Sequence, residues 1–291
     1  MTTDTARRRA TLIGFIAVLL WALLAVLTVG SEPTPPLLLN AICFAIGGAL
    51  GLIWTAASGG LGQLRKVRAR VYIFGTIGLF GYHALYFSAL RLAPAAEAGL
   101  IAYLWPLLII LFSGLLPGEQ LRAGHIIGGL LGFAGAALLI SGGAGGFDAA
   151  HLPGYALALL CALTWSSYSV LSRRIGDAPT ASVAVFCIAT AVLSAGLHLW
   201  LEPTIWPGTA GAWMATIGLG LGPVGLAFYV WDIGVKRGDI QLLGTSSYAA
   251  PLLSTLILVL TGVADPGWSL AIATLLITGG ALTAARASVR R

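Results

Sequence analysis

The sequence predicts an all-α integral membrane protein with ten transmembrane helices, arranged as two inverted five-helix repeats around a central cavity. Three observations predict this fold. Of the 291 residues, 58% are hydrophobic and only 9% are charged, whereas charged residues make up about 25% of an ordinary soluble domain. The apolar residues fall into ten runs, and each run is close to the roughly 20 residues that a helix needs to cross a bilayer. The pattern of the first five runs recurs in the last five.

The predicted spans are separated by short connections, and their apolar runs are continuous rather than alternating, which argues against a strand barrel. They cover residues 10–29, 36–57, 71–91, 95–116, 123–141, 152–172, 181–201, 211–235, 240–262 and 267–286. The glycine-rich stretch Gly142–Gly146 separates the fifth span from the sixth. We therefore expect a first repeat over residues 1–143 and a second repeat over residues 151–291.

The distribution of Lys and Arg predicts the orientation. Fifteen of the sixteen lie on the side that holds both termini, and only Arg91 lies on the other side. Because cytoplasmic connections are enriched in Lys and Arg, we expect both termini in the cytoplasm. This topology explains the net charge of +6 without a nucleic-acid partner. The expected partner is the lipid bilayer. The apolar run after Arg7–Arg9 is long for a signal peptide, so a retained first span is expected.

A motif with a central proline occurs twice, 145 residues apart. Tyr103-x-x-Pro106 and Tyr248-x-x-Pro251 are each followed by two leucines. A proline inside an apolar helix leaves a carbonyl unpaired, which hydrocarbon tolerates only beside neighbouring groups or a cavity. Since each half has five spans, the two copies cross the membrane in opposite senses, as in many secondary transporters. The alternative is a diverged duplication in a structural or signalling membrane protein.

Aromatic and polar residues within the spans mark the predicted cavity. Tyr82, His83 and Tyr86 lie near the middle of the third span, where lipid contact does not favour tyrosine, and His83 is the only ionisable group expected near the midplane. Interhelical packing is the alternative for the tyrosines, and a structural hydrogen bond is the alternative for His83. The candidate cavity residues are Trp21, Tyr82, His83, Tyr86, Gly99, Tyr103, Trp105, Pro106, Trp165, Tyr168, Tyr229, Ser246 and Tyr248.

Glycines on the third and eighth spans are candidate hinges that would open one end of the cavity. They are Gly78, Gly81, Gly222 and Gly225. Ion pairs are expected near the span ends between Asp232 and Lys236, between Glu97 and Arg91, and between Glu119 and Arg122. His125, His151 and His198 are expected at the surface. No acid is left for a midplane proton relay, which argues for weak coupling or facilitated diffusion unless His83 or the substrate carries the proton.

Motifs for catalysis and for ATP binding are missing from the sequence. It contains no G-x-x-x-x-G-K-[ST] loop, no H-E-x-x-H and no G-x-S-x-G, so an ATP-driven pump and the corresponding hydrolases are unsupported. Cys43, Cys161 and Cys187 are widely spaced within apolar segments and are expected to be inert buried thiols. We therefore expect no metal, no cofactor, no catalytic residues and no enzymatic activity.

The span number, the two halves and the Tyr-x-x-Pro-Leu-Leu motifs together resemble the drug/metabolite transporter superfamily, in particular its EamA-type branch. Gly118-Glu119 and the following Gly128–Gly135 run also match that family. The second half departs from it at Ala264, where the family often has a Glu like Glu119. The resemblance implies alternating-access export of amino acids, aromatic and other neutral ones, across the bacterial inner membrane through a cavity between the two halves. We expect the protein to be a monomer.

Two alternatives to amino-acid export remain open at the level of the sequence. The first is export of another small metabolite or drug by a member of the same superfamily. Nucleotide sugars and phosphorylated sugars are disfavoured, because no Lys or Arg is expected inside the membrane to bind their anionic groups. The second alternative is an intramembrane enzyme or receptor, which would need a catalytic pair near the midplane where only His83 is expected.

Overall fold

The computed structural model of the protein describes residues 2–141, 148–175, 178–262 and 267–289. No strand occurs among these residues, and ten of their helical segments are long and apolar enough to cross a membrane. In chain order they are α1 (Asp4–Gly30), α2 (Pro36–Ala57), α3 (Ala69–Leu92), α4 (Ala95–Ser113), α5 (Ala123–Ile140), α6 (Ala149–Ser172), α7 (Ser182–Leu201), α8 (Ala210–Arg237), α9 (Ile240–Leu260) and α10 (Trp268–Ser288). The protein is a multi-pass membrane protein, and the predicted all-α, ten-span fold class is confirmed.

The span boundaries differ from the predicted ones by a few residues. The helix that contains the span α1 begins two residues earlier, at Thr2, ahead of the three arginines that precede the apolar run. The last helix of α8 continues to Arg237. Lys and Arg are good helix formers, so the hydrogen-bonded backbone continues beyond the apolar residues. The predicted linker Gly142–Gly146 and the residue Ala264 lie outside the described residues.

Five spans are interrupted, and four of the interruptions recur at the spacing of the sequence repeat. The π-helices Ile77–Gly81 and Gly222–Leu226 lie within α3 and α8. The helical parts of α1 are Thr2–Trp21 and Leu24–Gly30, those of α4 are Ala95–Ala102 and Trp105–Ser113, and those of α9 are Ile240–Ser246 and Ala249–Leu260. The two π-helices are 145 residues apart, and the breaks in α4 and α9 are 144 residues apart. The inverted arrangement of the two halves stays a prediction, and these matched breaks are compatible with it.

The main helix pairs each join one half of the chain to the other. α2 packs along α7, α5 along α10, α1 against the last part of α8, and the last part of α3 against α6. Glycines let two of these pairs approach closely. A Cβ at Gly128 would lie 2.6 Å from the carbonyl oxygen of Gly280, and a Cβ at Gly14 would lie 2.8 Å from the Cα of Gly234. Helices in a bilayer associate largely by such close packing, so the two halves form one helical bundle.

Candidate functional site

A cavity of about 110 Å³ lies among α1, α3, α4, α6 and α8. Six residues predicted from the sequence line it: Trp21, Tyr82, His83, Tyr103, Trp105 and Trp165. Sequence reasoning missed Leu24, Pro223, Val224 and Phe228. Two of these carried a usable signal, because Pro223 stands beside Gly222 and Phe228 follows His83 by the repeat spacing of 145 residues. Leu24 carried none, since an apolar residue in an apolar helix looks alike whether it faces lipid or a cavity.

A π-helix sets the position of His83 at the cavity wall. The segment Ile77–Gly81 widens α3 just before His83, and π-bulges of this kind frequently occur at functional sites. Nδ1 of His83 lies 2.7 Å from the carbonyl oxygen of Leu79. Because a carbonyl only accepts hydrogen bonds, Nδ1 carries the proton of the neutral imidazole, and Nε2 is the nitrogen that can accept from a ligand.

Three tryptophans form an aromatic wall on the cavity. The ring centroids of Trp21, Trp105 and Trp165 lie 5.8–6.4 Å from one another with steep interplanar angles, the edge-to-face geometry that aromatic pairs favour. The indole N–H of Trp21 donates to the carbonyl of Pro223 at 3.2 Å. The indole N–H groups of Trp105 and Trp165 have no acceptor within the described part of the chain. Two donors at the wall are therefore available to a ligand.

A fourth tryptophan, which sequence reasoning missed, supports this wall. Trp231 is 1% exposed, and its ring centroid lies 5.0 Å from that of Trp21 and 5.8 Å from that of Trp105. Its indole N–H donates to the hydroxyl of Ser169 at 3.1 Å. Trp231 follows Tyr86 by 145 residues, and that spacing is the signal that could have found it.

The cavity is aromatic and, among its described lining residues, free of Asp, Glu, Lys and Arg. Its polar groups are His83, the two indole N–H groups, and the hydroxyls of Tyr82 and Tyr103, which make no hydrogen bond to other described residues. Aromatic faces attract an ammonium group, and N–H and O–H donors can hydrogen-bond a carboxylate. The arrangement therefore suits a ligand that is neutral overall but carries both groups.

Seven candidate residues do not line the cavity in this structure. Two of them buttress it: Tyr86 stacks parallel to Tyr82 with ring centroids 6.2 Å apart, and Tyr168 packs 5.3 Å from Trp165. Tyr229 donates to a backbone carbonyl of α2 at 2.9 Å. The seven residues are Tyr86, Gly99, Pro106, Tyr168, Tyr229, Ser246 and Tyr248.

The broken helices α4 and α9 bring the two tyrosines of the repeat together. The ring centroids of Tyr103 and Tyr248 lie 6.3 Å apart. Tyr103 lines the cavity, whereas Tyr248 is fully buried and uses its hydroxyl to bind the backbone of α4. The two copies of the motif therefore meet at one place in the fold, but they perform different tasks there.

The four candidate hinge glycines lie within the two π-helices. Two of them also provide space for packing. A Cβ at Gly78 would lie 2.3 Å from the ring of Tyr168, and a Cβ at Gly225 would lie 2.1 Å from a backbone oxygen. A Cβ at Gly81 would meet nothing closer than 3.5 Å. Only Gly81 and Gly222 can therefore accept a side chain without displacing their neighbours.

A largely buried ion cluster lies at the end of the molecule that carries both chain ends, which we call the basic end. Glu119 binds the guanidinium groups of Arg7, at 3.1 Å, and Arg173, and not that of Arg122 as predicted. Arg122 instead donates to a backbone carbonyl near the end of α10. Asp239 lies 3.7 Å from Arg7. Sequence reasoning paired Glu119 with its neighbour in the chain and missed partners that only the fold brings close.

Arg173 anchors this cluster to the connection between α8 and α9. Its guanidinium also donates to the carbonyl groups of Val235 and Gly238. Burial lowers the pKa of Arg173, and the charge of Glu119 opposes that shift. Because Glu119 belongs to the first half and Arg173 to the second, the cluster ties the two halves together at the basic end.

At the opposite end, the prediction for Arg91 was wrong. Arg91 binds Glu202 at 3.2 Å, and Glu97 instead accepts a hydrogen bond from Tyr155 at 3.1 Å. His198 is buried beside Glu202 at 3.1 Å and is not at the surface.

Two further expectations concern the basic end. His125 is fully buried rather than exposed, because α10 covers it. The predicted pair of Asp232 and Lys236 is confirmed at 2.8 Å. Neighbours four residues apart on one helix meet whatever the tertiary fold, which is why this pair alone among the three was predicted correctly.

The protein has ten spans, and its aromatic cavity lies where helices are broken. This arrangement is typical of membrane transporters built from two halves. The family model described as "EamA-like transporter family" matches residues 8–141 and 152–286, and the chain belongs to that family. It is 56% identical over 282 residues to "Aromatic amino acid exporter YddG" of Ancylobacter novellus, and the matched region covers 96% of this chain and 98% of the relative. It is 29% identical to the protein of the same name from Salmonella typhimurium, over 85% and 87% of the two chains. Among the solved structures that match, a crystal structure has a TM-score of 0.93 at 55% identity, over 98% of this chain and 100% of the other.

Proposed function

We propose that this protein exports aromatic and other neutral amino acids across the bacterial inner membrane by alternating access. The observation that carries the proposal is the uncharged aromatic cavity at the meeting point of α1, α3, α4, α6 and α8. The relatives named as aromatic amino acid exporters support the same substrate class. In this proposal, the protein acts as a monomeric secondary transporter or facilitator and not as an enzyme.

The cavity offers a separate partner to each part of a zwitterionic amino acid. The ammonium group donates to Nε2 of His83 and faces the surrounding aromatic rings. The carboxylate accepts hydrogen bonds from the indole N–H groups of Trp105 and Trp165. An aromatic side chain stacks against the same rings and excludes water. Glutamate and lysine are poor substrates, because the described lining holds no charge to balance theirs.

In the proposed transport cycle, the basic end faces the cytoplasm and the ion cluster of Arg7, Glu119, Arg173 and Asp239 is the inner gate. The excess of Lys and Arg at this end supports that orientation. With the cluster formed, the cavity is closed toward the cytoplasm. Exposure to the cytoplasm requires the two halves to separate at the cluster, and the π-helices of α3 and α8 supply places to bend. The proposed repeats are residues 1–143 and 151–291.

The proposal is tested by reconstituting the purified protein into liposomes and measuring uptake of labelled phenylalanine, tryptophan, glutamate and lysine, with and without a pH gradient. We expect saturable uptake of the first two only. The variants His83→Ala and Trp105→Ala are expected to lose most of this uptake. Trp268→Ala is the matched control, because Trp268 is 87% exposed at the start of α10 and lies outside the cavity.

Three outcomes decide the proposal. Uptake that is insensitive to the pH gradient supports a facilitator. Uphill accumulation driven by the gradient, abolished in His83→Ala, supports proton-coupled transport through His83. The absence of saturable uptake of any aromatic or neutral amino acid by the wild-type protein rejects the proposal. Resistance of cells to toxic amino-acid analogues provides an independent check of the export direction.

A further inference from the structure

A second cavity, larger than the aromatic one, lies at the basic end, and none of its lining residues is assigned a role in the function proposed above. It is a cleft of about 830 Å³ between the connection that joins α2 to α3 and the connection that joins α6 to α7. Four cationic side chains line it: Lys66, Arg68, Arg70 and Arg174. The amide of Gln63 and apolar residues such as Val67 and Ile175 complete the walls.

The positive charge of the cleft is not neutralised by the described part of the protein. Lys66, Arg68 and Arg70 make neither an ion pair nor a side-chain hydrogen bond with any described residue. Arg174 makes one such bond, to a backbone carbonyl at 2.9 Å, which leaves its other donors available. No described acidic residue lines the cleft. Asp177 lies outside the described residues. Its single carboxylate could balance only one of the four cations, so the cleft would still carry an excess of positive charge.

The orientation rule for membrane proteins accounts for the sign of these charges but not for their arrangement. Topology requires only that Lys and Arg stand on connections at this end. Arg8, Arg9 and Arg286 satisfy that requirement as exposed side chains that line neither the aromatic cavity nor the cleft. The cleft differs because cations from two distant connections converge on one concave space with an apolar wall.

We propose that the cleft binds a phosphate-bearing anion, either the headgroup of an acidic phospholipid or free phosphate. Guanidinium groups bind phosphate oxygens in a bidentate manner, and a lysine ammonium adds a point charge. Basic pockets between helices at the membrane surface bind lipid headgroups in this way. The apolar wall formed by residues such as Val67 and Ile175 fits the glycerol and first acyl carbons of a lipid.

Binding in the cleft joins the same two halves that the ion cluster joins. Arg174 lines the cleft, and the preceding residue, Arg173, binds Glu119 in the cluster. An anion that holds Arg174 against the α2–α3 connection stabilises the arrangement in which Arg173 reaches Glu119. The bound anion therefore favours the closed basic end. This consequence rests on the proposed transport function, whereas the binding itself does not.

The test uses the purified full chain in an uncharged detergent. Short-chain phosphatidylglycerol, short-chain phosphatidylcholine and inorganic phosphate are titrated separately, with native mass spectrometry for the lipids and calorimetry for phosphate. The triple variant Lys66→Gln/Arg68→Gln/Arg70→Gln is expected to bind the anionic probe at least about tenfold more weakly, given the contribution of each basic residue to headgroup binding. The control, Arg8→Gln/Arg9→Gln/Arg286→Gln, removes the same charge from the same end and is expected to bind like the wild type.

A second variant covers the case in which the triple variant fails to fold. Gln63→Glu places a carboxylate in the cleft, removes no cation and is also expected to weaken binding. Preference for phosphatidylglycerol over phosphatidylcholine assigns a lipid headgroup, and binding of inorganic phosphate without that preference assigns free phosphate. If the wild type binds neither probe, or if the triple variant and Gln63→Glu bind as tightly as the wild type, the proposal is wrong. These binding readouts remain valid even if amino-acid transport is not observed.

Discussion

The hydroxyl of Tyr248 accepts a hydrogen bond from the backbone N–H of Leu107 at 3.0 Å, and this bond crosses from the second half of the protein to the first. The N–H of Leu107 follows the break between Ala102 and Trp105 in α4. It lies within a membrane-spanning segment, where an unpaired amide is costly. The tyrosine of one repeat therefore completes the broken helix of the other.

We predict that Tyr248→Phe destabilises the fold without changing the cavity wall. The variant leaves the part-buried N–H of Leu107 without its partner inside a membrane span, which costs about 1–3 kcal/mol. Thermal unfolding of the purified protein in detergent measures the effect. Tyr103→Phe is the matched control, because the hydroxyl of Tyr103 makes no hydrogen bond with other described residues. Equal loss of stability in the two variants would contradict the role assigned to Tyr248.

A second prediction concerns recognition of the substrate carboxylate. Trp105→Phe keeps an aromatic ring in the wall and removes one indole N–H. A hydrogen bond to a charged group contributes about 1.5–3 kcal/mol, so the apparent affinity for phenylalanine is expected to fall about 10–100-fold. The measurement is competition by unlabelled ligands in proteoliposome uptake.

The decarboxylated amine, phenethylamine, distinguishes a lost carboxylate contact from a damaged cavity. The wild type should favour phenylalanine over this amine, and Trp105→Phe should lose that preference. Trp231→Phe is the control, because Trp231 uses its indole N–H within the protein, at Ser169. A preference that survives in Trp105→Phe would show that Trp105 does not bind the carboxylate.

A third prediction tests the ion cluster as a gate. Glu119→Gln removes the charge that holds Arg7 and Arg173, and breaking a buried pair is strongly unfavourable for the closed arrangement. We expect faster labelling of Ser246→Cys by a water-soluble maleimide in the Glu119→Gln background, by roughly 5–150-fold if the coupling is typical. Native thiols contribute little background, because Cys43, Cys161 and Cys187 are buried.

The control for the gate is a carboxylate at the opposite end. Glu97→Gln removes a buried acid that binds Tyr155 and lies far from the cluster along α4. It should leave the labelling rate of Ser246→Cys unchanged. If both variants increase labelling equally, general loosening of the bundle explains the result, and the cluster is not a gate.

Sequence reasoning predicted the parts of this protein that depend on local or repeated patterns. The ten spans follow from apolar run length, and the aromatic residues of α3 and α4 follow from the unusual position of tyrosine and tryptophan within a span. Phe228 and Trp231 were missed because each resembles an ordinary core residue in the sequence. Only an alignment of the two halves at the repeat spacing of 145 residues pairs them with His83 and Tyr86.

Long-range charge pairing could not be predicted in the same way. Glu119 and Arg173 are 54 residues apart, and no periodicity links them. Proximity along the chain predicts the wrong partner for Glu119 and for Glu97. His125 was placed at the surface because it stands near a span end, whereas helix packing buries it. Such contacts depend on how helices from the two halves pack. The residue pattern of a single sequence does not show that packing.

The last prediction concerns bending at the π-helix of α3. Gly81→Ala adds a methyl group where the nearest atom would be 3.5 Å away, so the folded protein should keep its stability. The methyl group narrows the backbone freedom of a residue in the π-helix. We therefore expect a lower maximal rate of amino-acid uptake with little change in apparent affinity. Gly218→Ala is the matched control, since a Cβ there would lie 3.6 Å from its neighbour in a regular part of α8. Gly78→Ala, by contrast, should unfold at a lower temperature because its methyl group overlaps the ring of Tyr168. Unchanged uptake by Gly81→Ala would exclude Gly81 as a hinge.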